Sequence, residues 1–326
     1  MTILPDFRYI RPANVDEAVA ALAGKPGAAI IAGATDLLPN LRRGLGEPSV
    51  LIDVSAVPAL ALVEETADGL RIGAGVKLAE LALHPVVQRD FPVIVEGALA
   101  VAGPTHRAAA TVGGNLCQDT RCHFYNQSEW WRSGNEYCLK YEGDRCHVAP
   151  KTARCFATYR GDLAPALMVL GAEAEVAGPK GRRKLPLAEL FQDDGAAHLK
   201  LAADEVLVAV TVPNSAKGLV GSYAKIRIRD AIDFPLVGVA AALKRDGDKI
   251  GQIRVAITGS NPCPLPISTD GLEGQPWNEA TARSLADRLN KTAKFQTTTT
   301  VGMRYRRRVL LASARRLVDD LWEKAV

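Results

Sequence analysis

Five of the six cysteines lie between Cys117 and Cys155. Four of them, Cys122, Cys138, Cys146 and Cys155, are separated by fifteen, seven and eight residues. Four thiolates hold a 4Fe–4S cluster or a Zn²⁺ ion, or they close as two disulfides. The N-terminal run Met1-Thr2-Ile3-Leu4-Pro5-Asp6 lacks a basic segment leading into an apolar one. No export signal is therefore expected, which disfavours disulfides. Zinc sites usually carry tight Cys-x-x-Cys knuckles, and this sequence has none. That disfavours zinc without excluding it, so iron–sulfur and zinc both stand. His123 and His147 each follow a candidate ligand and read as hydrogen-bonding or exposed neighbours. Cys117 directly follows a glycine turn and is grouped with it, and Cys263 has no partner in sequence.

Two glycine loops form the second candidate site. Ala32-Gly33-Ala34-Thr35-Asp36 stands between an apolar run and Leu37-Leu38. It reads as a strand, a tight turn and a capped helix start, a place where amides favour phosphate oxygens. Thr111-Val112-Gly113-Gly114-Asn115 pairs two glycines, which let a backbone approach a ligand, with two hydrogen-bonding side chains. Neither loop is a Rossmann or Walker fingerprint, so ordinary nicotinamide and P-loop enzymes lose support. Nothing resembles a hydrolytic triad or a metal-activated water site.

The elements that must position these groups follow from periodicity. Strands are expected at 28–32, 50–54, 69–75 and 206–212, and helices at 77–83 and 92–101. Between Cys117 and Arg160 sit eight of the eighteen aromatics and few branched aliphatics, so no ordinary core forms there. After the linker Asn214–Gly218, strands at 221–228, 234–243 and 253–259 precede two helices, 279–294 and 301–324. Val309, Leu310, Leu317 and Leu321 share a side of the last helix. Arg306-Arg307-Arg308 reads as a solvated face of it, given the acidic residues that follow. With 326 residues, 48% hydrophobic and net charge +4, the chain is a multi-domain globular protein, not a nucleic-acid binder. Its longest apolar runs fall far short of the roughly 20 residues that cross a bilayer.

Four segments together are specific. They are Ala32–Leu38, Thr111–Leu116, Gly161-Asp162-Leu163-Ala164-Pro165-Ala166-Leu167, and Lys225–Pro235 with Arg-Asp-Ala-Ile-Asp-Phe-Pro at its end. Over nearly its whole length the chain resembles the FAD-binding subunits of the xanthine oxidase (molybdenum hydroxylase) family. The resemblance implies an α+β fold. A two-part FAD-binding region of the xanthine oxidase flavoprotein type would fill 1–215, and a C-terminal sheet-plus-helix domain 216–326. It implies that Ile31, Ala32, Gly33, Ala34, Thr35, Asp36, Leu37 and Leu38 line the pyrophosphate of FAD. Thr111, Gly114 and Asn115 hold the flavin side, Asp162 bonds polar groups of the cofactor, and Lys225 stands near the isoalloxazine ring. Ala34 departs from the family, which often has a second glycine there, and alanine prefers negative φ. Thr105-His106-Arg107-Ala108 also departs from the usual Ile-Arg-Asn pattern.

Most family members run almost directly from the Gly-Gly-Asn-Leu turn to the Gly-Asp segment. Here residues 117–156 intervene. This aromatic-rich stretch resembles the insertion of the 4-hydroxybenzoyl-CoA reductase branch, which carries an extra 4Fe–4S cluster. The resemblance implies Cys122, Cys138, Cys146 and Cys155 as its ligands. Trp130 and Trp131 could stack on a base or ring, but such aromatics more often shield a cluster or pack at a subunit interface. It further implies a cytoplasmic complex with a molybdenum–pterin subunit and a 2Fe–2S subunit. Reduced ferredoxin would donate electrons for removal of a phenolic hydroxyl from the thioester, which binds another subunit.

Overall fold

Three sheets, each with its own helices, organise the chain, and the computed structural model describes residues 4–325. The first sheet is parallel, with β1 (Arg8–Ile10), β2 (Ala28–Ile31) and β3 (Val50–Asp53) in the order β1-β3-β2. Parallel strands need crossovers; α1 (Val15–Leu22) and α2 (Leu37–Leu41) provide them. Asn14 caps α1 by accepting the Glu17 amide at 2.9 Å. The buried face of α1, with Val15, Ala18 and Leu22, packs among Ile52, Val206 and Val208.

The second sheet is antiparallel. Its strands are β4 (Val63–Glu65), β5 (Gly69–Gly73), β6 (Glu173–Gly178), β7 (Gly181–Pro186) and β8 (Val206–Pro213), in the order β4-β5-β8-β6-β7. Seven short helices lie between β5 and β6: α3 (Leu78–Leu83), α4 (Pro85–Asp90), α5 (Pro92–Ala100), α6 (Pro104–Ala109), α7 (Val112–Leu116), α8 (Glu129–Gly134) and α9 (Leu163–Met168). Proline opens α4, α5 and α6, where its missing N–H has no intrahelical partner to lose. Ile72, Leu81, Phe91, Ile94, Leu163 and Val210 fuse helices and sheet into one core.

The third sheet, order β12-β11-β10-β9, is also antiparallel: β9 (Val220–Ile226), β10 (Val237–Asp246), β11 (Lys249–Thr258) and β12 (Leu265–Ile267). Helices α10 (Glu279–Thr292) and α11 (Met303–Lys324) cover it. Asn278 and Thr281 form a capping box at the start of α10. Leu310, Ala314, Leu317 and Leu321 of α11 pack against Val239, Leu243 and Ile253, each large side chain contributing about 1.5–3 kcal/mol.

The cysteine-rich stretch is mostly irregular, with α8 inside it. Its ends are stitched to the rest. Arg121 and Thr158 exchange backbone hydrogen bonds at 2.8 and 2.7 Å, and the His123 amide donates to Thr298 at 2.9 Å. The Thr158 and Thr298 hydroxyls meet at 2.8 Å.

The expectation of a solvated arginine face needs correction at Arg306. This side chain is fully buried. Its guanidinium donates to the carbonyls of Leu236 (3.3 Å), Gln296 (3.0 Å) and Gly259. These carbonyls lie just beyond the ends of β10, β11 and α10, where the regular ladders leave them open. Arg306→Met strands all three acceptors and should cost about 3 kcal/mol, whereas Arg308→Met, on the exposed side, should stay within about 0.5 kcal/mol. Urea unfolding of both variants checks this.

Candidate functional site

The first glycine turn lies between the end of β2 and α2. A Cβ on Gly33 would come within 2.1 Å of the Ala109 carbonyl, so only glycine admits this approach. Ala34 follows at φ +61°, a left-handed conformation that costs an alanine about 1 kcal/mol. Alanine's preference for negative φ is thus overridden by the packing on either side. Asp36 is not the helix cap the sequence suggested, because its backbone is already helical and its side chain caps nothing. Its carboxylate instead pairs with the Arg121 guanidinium and accepts the Asp119 amide at 2.9 Å. Helix α2 has only five residues. An anion at this turn would meet loop amides more than a helix field.

The second glycine loop faces it. Thr111 caps α7 by accepting the Gly114 amide at 3.0 Å. Gly113 packs against Ala74, where a Cβ would approach to 2.8 Å, and both it and the more exposed Gly114 line the groove. Between the two loops runs a cavity of about 480 Å³, within the range of small-molecule sites. Ile31, Ala32, Gly33, Ala34, Thr35, Asp36 and Leu37 line it, with Thr111, Gly114 and Cys117 opposite. Leu38 is not among the lining residues and packs with Leu41 and Leu51 instead.

A second cavity of about 220 Å³ continues past Thr35, Asp36, Gly114 and Gln118, which line both. Asn115 and Asp162 line it, joined by His106, Arg121, Arg160 and the loop Arg229–Phe234. Lys225 is not at its wall. Its ammonium sits behind Asp162, donating at 2.8 Å to that carboxylate and at 2.8 Å to the Ala100 carbonyl. Tyr223 donates to the other Asp162 oxygen at 2.6 Å, and burial pushes the Asp162 carboxyl above its ordinary range against these partners. Four residues at this wall each carry a buried polar atom without a protein partner: His106 Nδ1, Gln118 Nε2, Arg121 Nε and Arg160 Nε. Burial lowers the Arg160 guanidinium to about 10. Such unpaired donors are costly unless a ligand or solvent completes them. Their sequence neighbourhood gave no periodic or motif signal, so composition alone did not single them out.

The four insertion cysteines share one small void with Phe124, Tyr125, Lys140 and His147. All six cysteines of the chain are free thiols. Burial pushes Cys155 up to about 12 and raises Cys122. Among the described residues, no three His, Cys, Asp or Glu side chains converge closely enough to hold one metal ion. His147 stacks on Phe124 with ring centroids 5.2 Å apart, and Trp131 tilts onto the same ring, while Trp130 is 83% exposed. Cys117 belongs to the first cavity, where burial raises its thiol to about 12.

Residues 5–215 match the FAD binding domain in molybdopterin dehydrogenase, and residues 222–321 the CO dehydrogenase flavoprotein C-terminal domain. The chain belongs to the molybdopterin dehydrogenase FAD-binding family. The flavoprotein is 37% identical over 262 residues to the aldehyde oxidoreductase FAD-binding subunit PaoB of Escherichia coli K12, covering 78% of this chain and 81% of that one. It is 28% identical over 292 residues to the carbon monoxide dehydrogenase medium chain of Hydrogenophaga pseudoflava, covering 87% and 86%. Its fold matches the solved carbon monoxide dehydrogenase of the same organism, which lacks the Mo-pyranopterin moiety, with TM-score 0.81 at 23% identity over 99% of this chain and 100% of that one. The flavoprotein is thus an FAD-dependent oxidoreductase subunit of a molybdenum hydroxylase complex. Among the described residues no helix is long and apolar enough to cross a membrane.

One buried group between the sites gives a pH prediction. Burial lowers His198 to about 4, against an ordinary value of 6.5, with Lys140 adding to the shift. The unfolded chain therefore binds an extra proton between those values, and stability falls as pH drops through that window. Up to about 3 kcal/mol is at stake. Thermal unfolding from pH 7 to 4.5 should show a shallower decline in His198→Phe than in the parent.

Proposed function

We propose that this chain is an electron-relay subunit that holds FAD across the two joined cavities and a 4Fe–4S cluster on Cys122, Cys138, Cys146 and Cys155. The observation that carries it is the shared void of the four free thiols, which the Lys140–Asp119 ion pair links to the first cavity. Four thiols that face one space without converging on a point suit a cluster, whose irons sit at separate corners, better than a single zinc ion. Bound FAD supplies exchange of electrons in pairs or singly, and the cluster supplies them one at a time. The protein's part is placement. The turn Ile31–Leu37 offers loop amides to the pyrophosphate. Thr111, Gly114 and Asn115 flank the neck, and Asp162, held by Tyr223 and Lys225, would offer its carboxyl to polar groups of the bound cofactor. The unpaired donors of His106, Gln118, Arg121 and Arg160 complete that wall. Leu38 supports the turn from behind.

The partners in this reading are a molybdenum–pterin subunit and a 2Fe–2S subunit of a cytoplasmic complex. The resemblance of the insertion favours reductive dehydroxylation of 4-hydroxybenzoyl-CoA, with ferredoxin feeding the cluster. A second reading has the complex oxidise an aldehyde and pass electrons outward, and the PaoB-like relative favours it. Turnover of the purified complex with 4-hydroxybenzoyl-CoA and reduced ferredoxin, or with an aldehyde and an acceptor, separates the two.

Anaerobic purification with iron, sulfide and flavin analysis tests the relay itself. A structured flavin band on a broad iron–sulfur absorbance is expected; a colourless, zinc-loaded protein refutes it. Cys138→Ser should lose most of its iron while keeping FAD. Thr111→Ala should weaken FAD retention and cost about 1 kcal/mol as a lost cap, read by flavin content and melting temperature.

A further inference from the structure

Lys140 lies two residues beyond Cys138 and lines the same void as the four thiols. Its side chain is 5% exposed. The ammonium donates to Asp119 Oδ1 at 2.6 Å, to the Thr120 carbonyl at 3.0 Å and to the Thr120 hydroxyl. It also stands 4.7 Å over the Tyr125 ring. A buried cation is costly to desolvate unless its protons are taken up. Here they are, yet its one carboxylate partner is 32% exposed and faces the FAD groove. Water screens Asp119 more than protein screens the ammonium from the buried thiols, so the field at the cysteines is positive.

We propose that Lys140 is a positioning residue whose fixed charge favours the reduced form of the four-thiolate site and whose bonds to Asp119 and Thr120 hold that site against the FAD cavity. The inference rests on the cluster reading above. Reduction takes one electron from an external one-electron donor, which is thereby oxidised by one electron. The site gains one negative charge, and no bond breaks and no proton moves. A cation beside the site stabilises that added charge, and net charge near the sulfurs is one determinant of a cluster's potential.

The test is an EPR-monitored redox titration of the purified full-length chain, with iron, sulfide and flavin measured on each sample. Lys140→Gln should keep iron and FAD and shift the reduced-to-oxidised ratio at fixed potential downward about tenfold, about 59 mV for a one-electron couple. Lys140→Arg should recover most of the shift. Asp119→Asn, which removes the counter-charge, should move the midpoint the other way. An unchanged midpoint in Lys140→Gln overturns the proposal, as does loss of iron with the remaining cluster unmoved. If Lys140→Gln does not load iron at all, Asp119→Asn decides, and an unmoved midpoint there overturns it too. A parent chain without iron and sulfide instead refutes the cluster reading, a result visible before any titration.

Discussion

The carboxylate of Asp36 is the joint on which the two candidate sites depend. It ends the first glycine turn, yet its partners, Arg121 and the Asp119 amide, open the cysteine-rich insertion. Asn40 of α2 accepts from the same guanidinium at 2.6 Å. A charge-assisted bond of this kind is stronger than a neutral one. It fixes the turn that lines the first cavity and the strand-like entry to the insertion in one frame. Thr120 then anchors to the Gly195 carbonyl at 2.6 Å, and the Gly195 amide donates to the Cys155 carbonyl at 2.9 Å. The loop around His198 thus closes the insertion from its other end.

Much of the fold was legible because its signals were local. Apolar runs gave β2, β3 and β8 but not the short β1, and the 3.6-residue period gave α10 and α11 with errors of a residue or two at their ends. The hairpin of β6 and β7 was not evident, since β7 is Gly-Arg-Arg-Lys-Leu-Pro, an edge strand with charged outward faces. The short helices α6, α7 and α8 were also hidden, because each is too short to show a period.

The site divided along the same line. Loop residues with distinctive types, in Ile31–Leu37 and Thr111–Asn115, stood out in the sequence, and most of them line the two cavities. Arg121, Arg160, His106 and Gln118 were not, because their role comes from tertiary burial of polar atoms and not from spacing. Lys225 illustrates the intermediate case. The motif flagged the residue, while its contact is with Asp162 behind the cavity wall. The arginine triplet shows the reverse error, in which a charge run hid a buried anchor for backbone carbonyls.

The contact between Thr158 and Thr298 spans 140 residues of chain. Closing so long a loop is entropically unfavourable and slow, so such contacts form late. Without the loop that carries Thr298, the insertion lacks one side of its frame. The frame of the cysteine pocket thereby depends on the loop that joins α10 and α11, far along the chain from the thiols it supports.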